Sequence, residues 1–501
     1  MIAAGCVLAL CVACSGSVNG TRTSELSMAP PAGPSRATQS GLVGWPVWGF
    51  DPSRSNFNSA EQTLTVANVG QLRRQWRINL GDAAADSAPI FLLGQRPRTS
   101  MLFTTSRMGT TFGIDPSNGR IIWKFVTTGG RGTTSSPAAD PSGAWIYAPG
   151  VDGKVHKLNA STGAEIRSGG FPVVISLMPK TELDESPLNV ANGYLYATLG
   201  GNGSDSPPYD GHVVSVRLKD GRATIFNSLC SQYHRLLGPN GCPEQRSGIW
   251  ARGGAVVDPD PSMNGDIYVA TGNGDFSANS GGYDYGDSVI SLAPDLSPVI
   301  GSYTPADYER LSQTDLDLGS SAPVVLPRQP ASQTPLMLVQ GGKDKILRLI
   351  NRAPLPGVGG ELQIVRLRAR LFSAPAVWTD SSNRVWIFLG LQDDVHAYRL
   401  ETNASGVSRL RFRWSARPGR TKRGTSPVVA NGIVFVAFNG AIVALNALSG
   451  AELWSSALPG VGETIGEVHF ESPIVVNGKL YCTDQKGNVT AYGLSAPGKH
   501  H

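Results

Sequence analysis

The chain has 501 residues, of which 41% are hydrophobic, and it carries a formal net charge of +5. A charge this small on a chain this long implies no obligatory nucleic-acid partner. Glycine (60 residues) and proline (35 residues) are abundant enough to suggest disorder, but alternating apolar runs and the hydrophobic content indicate a large folded core instead.

The first residues predict an exported protein. An apolar stretch from Met1 to Ala13 ends at Cys14, and a polar segment rich in Ser, Pro, Gly and Thr follows. This arrangement resembles a bacterial lipoprotein signal, which would attach a lipid to Cys14; an ordinary export signal without lipid is the alternative. The mature protein would lie in the periplasm or on the outer face of the membrane, with the lipid anchor as its only membrane contact.

Four regions are predicted along the chain. They are a signal segment (1–14), a flexible tether (15–45), a single folded domain (46–494) and a disordered tail (495–501). The domain is much longer than one ordinary domain, which indicates a repeat architecture.

Between Ser87 and Leu494 one sequence repeat occurs eight times. It consists of a small polar residue, a proline, a short apolar run, a turn, a second apolar run, and then Asp or Asn with a glycine. The proline position of the eight copies is held by Pro89, Pro137, Pro187, Ala255, Pro323, Pro375, Pro427 and Pro473. Successive copies lie 46 to 68 residues apart. A period near fifty with β-type content predicts a propeller with one four-stranded blade per copy.

The seventh copy shows the expected strands of one blade. Ser426 to Val429 predicts an inner strand with proline at its start, where a ladder donor can be spared. A two-residue turn at Asn431-Gly432 leads to strands at 433–438 and 441–445, and Glu452 opens the outer strand. Both long runs are apolar at nearly every position, which is typical of strands buried on both faces.

The eighth copy ends without an outer strand, whereas residues 72–80 form a spare strand before the first copy. Its Trp76 is placed like Trp123 and Trp454 in the outer strands of other copies. Pairing this strand onto the last blade would close the ring and remove an exposed sheet edge. We therefore predict an all-β, eight-bladed propeller of four-stranded antiparallel blades, completed by the N-terminal strand, and we expect a monomer.

Two of the six cysteines are candidates for a disulfide. Cys230 and Cys242 flank a loop with glycines at 238 and 241, which can bring them together in an exported protein. Two free thiols in a surface insertion are the alternative. Cys482 lies in an apolar strand and is interpreted as a small core residue.

Two blade ends carry a family resemblance. The segments 113–123 (GIDPSNGRIIW) and 444–454 (ALNALSGAELW) resemble the tryptophan-docking repeat of pyrroloquinoline quinone propellers. The resemblance covers roughly residues 60 to 494, and it implies that each such tryptophan packs on the neighbouring blade. The repeat is therefore structural and says nothing about catalysis.

The third and fourth copies are about twenty residues longer than the others, and such extra loops usually gather over one end of the channel. Three pieces of this region resemble parts of quinoprotein alcohol dehydrogenases. Asn273 in the segment 270–274 (ATGNG) would bind calcium. Asp315 or Asp317 would be the catalytic base and would also face the calcium. Lys343 in the segment 341–347 would contact the quinone oxygens.

Each piece also has a plain structural interpretation. The segment around Asn273 fits a hairpin turn with positive φ at its glycines. The two aspartates fit turn caps or solvent-facing residues, and Lys343 fits an ordinary turn between strands.

The chain departs from the family pattern at several places. Two adjacent cysteines are absent from the sequence, and the place of the tryptophan that would stack on the quinone is taken by Arg252, with Trp250 two residues before it. The glutamate that would ligate calcium is not in place, and Asp205 or Glu185 would have to substitute for it. Because the sequence has no Cys-x-x-Cys-His haem motif, an electron acceptor would be another protein.

Arginines concentrate in two runs, at 366–370 and at 409–423. Charged solvent edges of outer strands explain them, and docking of an acidic partner or a lipid headgroup surface is the alternative.

Two functions follow from the sequence. One is an exported quinoprotein-like propeller that binds pyrroloquinoline quinone, with calcium, and oxidises a small alcohol or sugar. The other is a non-catalytic scaffold of the same fold that binds protein partners at the cell envelope.

Overall fold

The computed structural model describes residues 44–82, 84–94, 99–202, 207–418, 424–458 and 464–494. Cys14, Asp205, most of the predicted tether and the predicted tail lie outside the described residues. Within the described ranges the strands form eight sheets, one for each copy of the sequence repeat. The predicted eight-bladed, all-β propeller is therefore confirmed.

Each blade has four antiparallel strands, which run in order from the inner strand outward. Blade 1 contains Ile90–Leu92, Met101–Thr105, Thr110–Ile114 and Ile121–Val126; blade 2 contains Ala138–Ala139, Trp145–Pro149, Lys154–Asn159 and Val173–Val174; blade 3 contains Asn189–Ala191, Tyr194–Gly201, His212–Arg217 and Ala223–Asn227; blade 4 contains Val256–Val257, Ile267–Ala270, Val289–Leu292 and Val299–Thr304.

The second half of the ring repeats this order. Blade 5 contains Val324–Val325, Met337–Gln340, Ile346–Asn351 and Gln363–Arg366; blade 6 contains Ala376–Thr379, Val385–Gly390, Val395–Thr402 and Ser408–Ala416; blade 7 contains Val428–Ala430, Ile433–Phe438, Ala441–Asn446 and Glu452–Ser455; blade 8 contains Ile474–Val476, Lys479–Thr483, Asn488–Leu494 and Leu72–Asn79.

Three sheets have a fifth strand that the sequence did not predict. Glu182–Asp184 pairs with the second strand of blade 3, while Gly357–Val358 and Phe57–Asn58 add parallel strands to blades 4 and 7. Helical structure in the described chain is short: one α-helix at Tyr308–Gln313 and 3-10 turns at Val69–Gln71, Pro261–Met263, Ala278–Ser280 and Leu318–Ser320. None of the described helices is long and apolar enough to span a bilayer.

Blade 7 shows how the sequence makes a blade. The turn residues Asn431 and Gly432 have φ values of 46° and 76°, which a two-residue hairpin of this kind requires. All six residues of Ile433–Phe438 are buried, because the strand packs against a neighbouring blade on each face. Apolar residues at every position are therefore the mark of stacked sheets.

The N-terminal strand closes the ring as predicted. Leu72–Asn79 pairs antiparallel with Asn488–Leu494, from Leu72 opposite Leu494 to Asn79 opposite Asn488, with one bulge between Arg74 and Trp76. The outer edge of Asn488–Leu494 is thus covered by a strand from the other end of the chain.

Tryptophans of four outer strands join adjacent blades. Each indole Nε1 donates to a backbone carbonyl of the next blade: Trp76 to Pro116, Trp123 to Ala160, Trp414 to Ala447 and Trp454 to Leu72, at 3.0 to 3.1 Å. The turn glycines of the next blade lie under the rings, since a Cβ at Gly119, Gly163 or Gly450 would come within 2.6 to 2.7 Å of the indole. The predicted docking of tryptophan on the neighbouring blade is confirmed.

The segment 45–58 runs across one end of the inner strands. It accepts backbone hydrogen bonds from residues of four blades: Ala139 of blade 2, Val257 of blade 4, Val377 of blade 6 and Val429 of blade 7. Arg54 is 1% exposed and donates to the carbonyls of Pro187, Leu188 and Gly253. Trp45, at the end of the predicted tether, is also buried and pairs with Phe91.

Candidate functional site

A cavity of about 680 Å³ lies at the opposite end of the inner strands from the segment 45–58. Its walls come mainly from the connections that lead into the inner strands of successive blades. Among the lining residues are Thr134, Glu185, Trp250, Asp317, Phe372, Gly424 and Phe470, one from each of blades 2 to 8. A concave chamber with a few converging polar groups is the usual form of a small-molecule site.

Four of the predicted site residues meet on one wall of this cavity: Asn273, Asp315, Asp317 and Lys343. The Lys343 Nζ lies 2.6 Å from Asp315 Oδ1 and also contacts Asp317 Oδ2. The backbone N–H of Asn273 donates to Asp317 Oδ1 at 2.8 Å, and its Nδ2 lies 3.4 Å from Asp315 Oδ1. Asn273 and Lys343, which are 70 positions apart in the chain, thus belong to one hydrogen-bonded group.

Local backbone structure places each of the four. Asn273 follows the second strand of blade 4, and Lys343 follows the second strand of blade 5, where its N–H donates to the Asp317 carbonyl at 3.0 Å. Asp315 and Asp317 lie between the helix Tyr308–Gln313 and the turn Leu318–Ser320. The ends of two neighbouring second strands therefore hold the aspartates between them.

Glycines let these loops approach closely. A Cβ on Gly272 would lie 2.8 Å from Asp317 Oδ1, and one on Gly319 would lie 2.5 Å from the Thr271 carbonyl carbon. Gly272 and Gly274 are not among the glycines with positive φ. Close packing, of Gly272 against Asp317 and of Gly274 against Ser247, accounts for these glycines, rather than a hairpin turn.

The two aspartates have different surroundings. The Asp315 side chain is 66% exposed, and its Oδ2 makes no hydrogen bond within the described ranges. Asp317 is 6% exposed, with both carboxylate oxygens engaged. Burial raises the pKa of the Asp317 carboxyl above its ordinary value, against the opposing effect of Lys343.

Lys343 stays charged at this wall. Burial alone would lower its pKa, but the attraction of Asp317 and Asp315 outweighs burial and raises the pKa above its usual value. The ammonium group lies 5.5 Å from the centre of the Trp250 ring. A fixed cation next to an aromatic face is suited to a planar, anionic ligand.

Trp250 and Arg252 are the two residues considered for the stacking position, and the structure places their side chains in different surroundings. Trp250 lines the cavity, with its ring centre 6.2 Å from that of Phe372. Arg252 is 3% exposed and does not line the cavity; its guanidinium packs on the Phe470 ring and its Nη2 lies 3.2 Å from Thr134 Oγ1. The Trp250 side chain therefore faces the cavity, whereas ligand contacts by Trp250 and Arg252 both stay predictions.

Several lining residues were not found by sequence reasoning. Arg107 reaches the cavity from blade 1 and pairs with Asp86 at 2.9 Å, while His469 reaches it from blade 8. Phe372 comes from the connection into blade 6, and so does Arg370, which the sequence placed in an arginine run without predicting that it lines the cavity. These side chains carry no motif, and the ring geometry alone brings them to the centre. Glu185, a candidate substitute for the calcium ligand, also lines the cavity.

The long insertions of the third and fourth copies flank the cavity. Cys230 and Cys242 form a disulfide in the insertion of blade 3. This lobe bonds to the loop that follows Asn273, because Glu244 accepts the Asp275 N–H at 2.9 Å. The Cys230 N–H donates to Asp284 at 3.0 Å on the same loop. The disulfide lobe thus supports one rim of the cavity.

Comparisons with known proteins agree with this fold. Residues 45–197 match the family model described as the β-propeller domain of glucose, ethanol and alcohol dehydrogenases, and residues 377–496 match the model described as outer membrane protein assembly factor BamB. A polyvinylalcohol dehydrogenase of Sphingopyxis sp. (strain 113P3) is 23% identical over 271 residues, which are 51% of this chain and 38% of that protein. The match spans well under half of the relative's length.

Two solved structures are similar in fold. A europium-containing methanol dehydrogenase has a TM-score of 0.63 at 13% identity, with 90% of this chain and 98% of that chain covered. The quinohemoprotein alcohol dehydrogenase of Comamonas testosteroni has a TM-score of 0.59 at 14% identity, with 91% and 81% covered. At such low identity the likeness shows the fold alone.

Fold and repeat together define a quinoprotein-like propeller. The eight stacked blades, the docking tryptophans and the matches at both ends of the ring point to the same class of protein. The chain is an eight-bladed propeller with repeats of the pyrroloquinoline quinone type, matched by family models at residues 45–197 and 377–496.

Proposed function

We propose that the cavity binds pyrroloquinoline quinone and that the protein oxidises an alcohol or sugar hydroxyl with this cofactor. The observation that carries the proposal is the meeting of Asn273, Asp315, Asp317 and Lys343 beside Trp250 on one cavity wall. The resemblance to alcohol dehydrogenases in two of the comparisons supports the substrate class.

The residues present fit the quinone. It is a flat, carboxylate-bearing molecule, and the cavity offers an aromatic face at Trp250 and three cationic side chains at Lys343, Arg107 and Arg370. Apolar contact comes from Phe372, and the volume of about 680 Å³ lies within the range of small-molecule sites.

Calcium is supported less well. Asn273 Oδ1 is a buried oxygen without a hydrogen-bond partner in the described chain, which is a donor of the type that calcium takes. However, both Asp317 oxygens are engaged by Asn273 and Lys343. No three His, Cys, Asp or Glu side chains converge as a metal cluster among the residues described. The calcium site at Asn273, Asp315 and Asp317 stays a prediction, and no step is assigned to it.

In the proposed reaction, bound quinone supplies an acceptor for the hydride that leaves the alcohol carbon. The Asp315 carboxylate, which lines the cavity and is 66% exposed, takes the hydroxyl proton. Lys343 holds Asp315 in place and presents a positive charge at the same wall. Asp317 fixes Lys343 and the Asn273 loop from behind.

A titration tests the proposal. Saturating pyrroloquinoline quinone should raise the melting temperature of the protein, because a ligand selective for the folded state stabilises it. Quenching of tryptophan fluorescence provides a second reading, since Trp250 lines the cavity. Lys343→Met should weaken binding by about tenfold or more, corresponding to roughly 1.5 kcal/mol for a lost charged contact.

The matched control is Lys345→Met. Lys345 is exposed and lies two residues from Lys343 in the same turn, so its substitution should leave binding unchanged. An absence of any shift with quinone, in calcium and in chelator alike, would contradict the proposal. It would favour the envelope scaffold instead, for which the match of residues 377–496 to the BamB model is the supporting observation.

A further inference from the structure

Asp287 is a buried residue in a strained backbone conformation behind the candidate site. It precedes the third strand of blade 4, has φ of 47° and is 1% exposed. Left-handed φ is uncommon for residues other than glycine and costs of order 1 kcal/mol or more. A carboxyl group at such a position, out of contact with solvent, calls for a specific structural reason.

Two contacts of Asp287 supply that reason. Its N–H donates to the Gly272 carbonyl at 2.9 Å, and its Oδ1 accepts the Leu318 N–H at 3.0 Å. Gly272 directly precedes Asn273, and Leu318 directly follows Asp317. One residue therefore bonds to both loops that carry the wall of the candidate site.

The distance between these two loops matters for the site. The Asn273 N–H donates to Asp317 Oδ1 at 2.8 Å because the two loops are in contact. The contact is so close that a Cβ on Gly272 would collide with the same oxygen. The Asp317 carboxylate in turn contacts Lys343. A shift of the Leu318 backbone would move this carboxylate away from both partners.

Among the described residues, the Asp287 side chain makes one hydrogen bond, the one from the Leu318 N–H. Its Oδ2 is buried and has no hydrogen-bond partner within the described ranges. The contact to the Leu318 N–H is therefore the hydrogen bond that offsets the burial of this carboxyl group. Burying a polar group with one of its oxygens unsatisfied destabilises a fold.

We propose that Asp287 is a positioning residue of the candidate site: through Gly272 and Leu318 it sets the spacing of the Asn273 and Asp317 loops and so the placement of Lys343. Its role at a quinone site rests on the proposed function. Its role in holding the two loops together does not.

The variant Asp287→Gly tests the contribution of the Asp287 side chain separately from that of its backbone conformation. Glycine adopts φ of 47° without strain, so this variant keeps the backbone conformation and removes the acceptor for the Leu318 N–H. Asp287→Asn keeps an acceptor oxygen at the same distance along the side chain. Asn383→Gly is the matched control, because Asn383 also has left-handed φ (59°) and lies in an exposed turn of blade 6.

Amide hydrogen exchange is the first measurement, and it needs no cofactor. In Asp287→Gly the peptide that contains Leu318 should exchange about tenfold faster or more, because that N–H loses its acceptor, while peptides of blades 1, 2, 7 and 8 should be unchanged. The second measurement is quinone affinity from tryptophan fluorescence, which should fall by roughly tenfold, the size of one lost charge-assisted contact. Asp287→Asn and Asn383→Gly should match the parent protein in both.

The outcomes separate the two claims. Unchanged exchange at Leu318 in a folded Asp287→Gly variant would overturn the inference. So would faster exchange at Leu318 in Asp287→Asn, a result that can be read even where the glycine variant does not fold. A parent protein that does not bind quinone at all would refute the proposed function, and the exchange data would still decide the role of Asp287.

Discussion

The protonation state of Glu471, a buried residue next to the cavity, follows from its surroundings. The residue is fully buried in blade 8, and Gln485 donates to its carboxyl group and to Asp86. Burial, and then the charge of Asp86, raise the pKa of Glu471 to about 8. A carboxyl group with this pKa is protonated at neutral pH in the folded protein.

The raised pKa of Glu471 predicts a dependence of stability on pH. The folded state holds this proton more tightly than the unfolded chain, so the stabilisation is fully present below the ordinary carboxyl pKa and is lost as the pH rises towards 8. Denaturant titrations of the parent protein and of Glu471→Gln should differ between about pH 5 and pH 8, where the variant should lose less stability as the pH rises.

The control for this measurement is Glu467→Gln, at an exposed residue four positions earlier. It should show the same pH dependence as the parent protein. Parallel curves for Glu471→Gln and the parent would mean that Glu471 does not hold a proton in the folded state.

At the scale of single elements, the docking tryptophans join one blade to the next. Trp123 is 8% exposed, and its Nε1 donates to the Ala160 carbonyl of blade 2 at 3.0 Å. Trp123→Phe would keep the aromatic packing on Gly163 and leave this carbonyl without its donor. We expect a loss of about 1 to 2 kcal/mol in the free energy of unfolding, measured in denaturant.

Trp378→Phe is the comparison for the tryptophan experiment. Trp378 is 9% exposed on the inner strand of blade 6, and its indole makes no hydrogen bond among the described residues. Its replacement loses ring size alone. An equal loss in both variants would show that the indole hydrogen bond adds nothing to the joint between blades.

Elements of the fold could be predicted because their causes are local or periodic. The inner strand at Val428, the turn at Asn431-Gly432 and the outer strand at Glu452 follow from proline placement, turn residues and apolar runs. The closing strand at Leu72–Asn79 followed from counting strands in the last copy. The extra parallel strands and the segment 45–58 follow no repeat, and sequence patterns did not predict them.

The site was predictable only in part, for a related reason. Asn273, Asp315, Asp317 and Lys343 stand in motifs, and the structure brings them together. The choice between Trp250 and Arg252 depends on which way each side chain faces, and spacing does not give that. Arg107, His469 and Arg370 come from blades whose copies look ordinary in sequence, and ring closure alone makes them neighbours.

On the scale of the whole molecule, the N-terminal part of the domain holds the ring at two places. Residues 72–79 cover the edge of blade 8, and the segment 45–58 bonds to inner strands around the ring. Removal of residues 1–80 should therefore give a three-stranded last blade with an open edge that self-associates. Removal of residues 1–43 should leave the melting temperature and the oligomeric state unchanged.

Size-exclusion chromatography and thermal melting distinguish these two truncations. The shorter deletion is the matched control, since it stops before Trp45. A monomer of unchanged melting temperature after removal of residues 1–80 would show that the ring needs neither the closing strand nor the segment 45–58.

The segment 45–58 covers one end of the inner strands, where Trp48 and Arg54 are buried, and the cavity lies at the other end. On the proposed function, the quinone, the alcohol and the oxidised product would all occupy this one cavity, so product that accumulates there would compete with the alcohol and slow turnover.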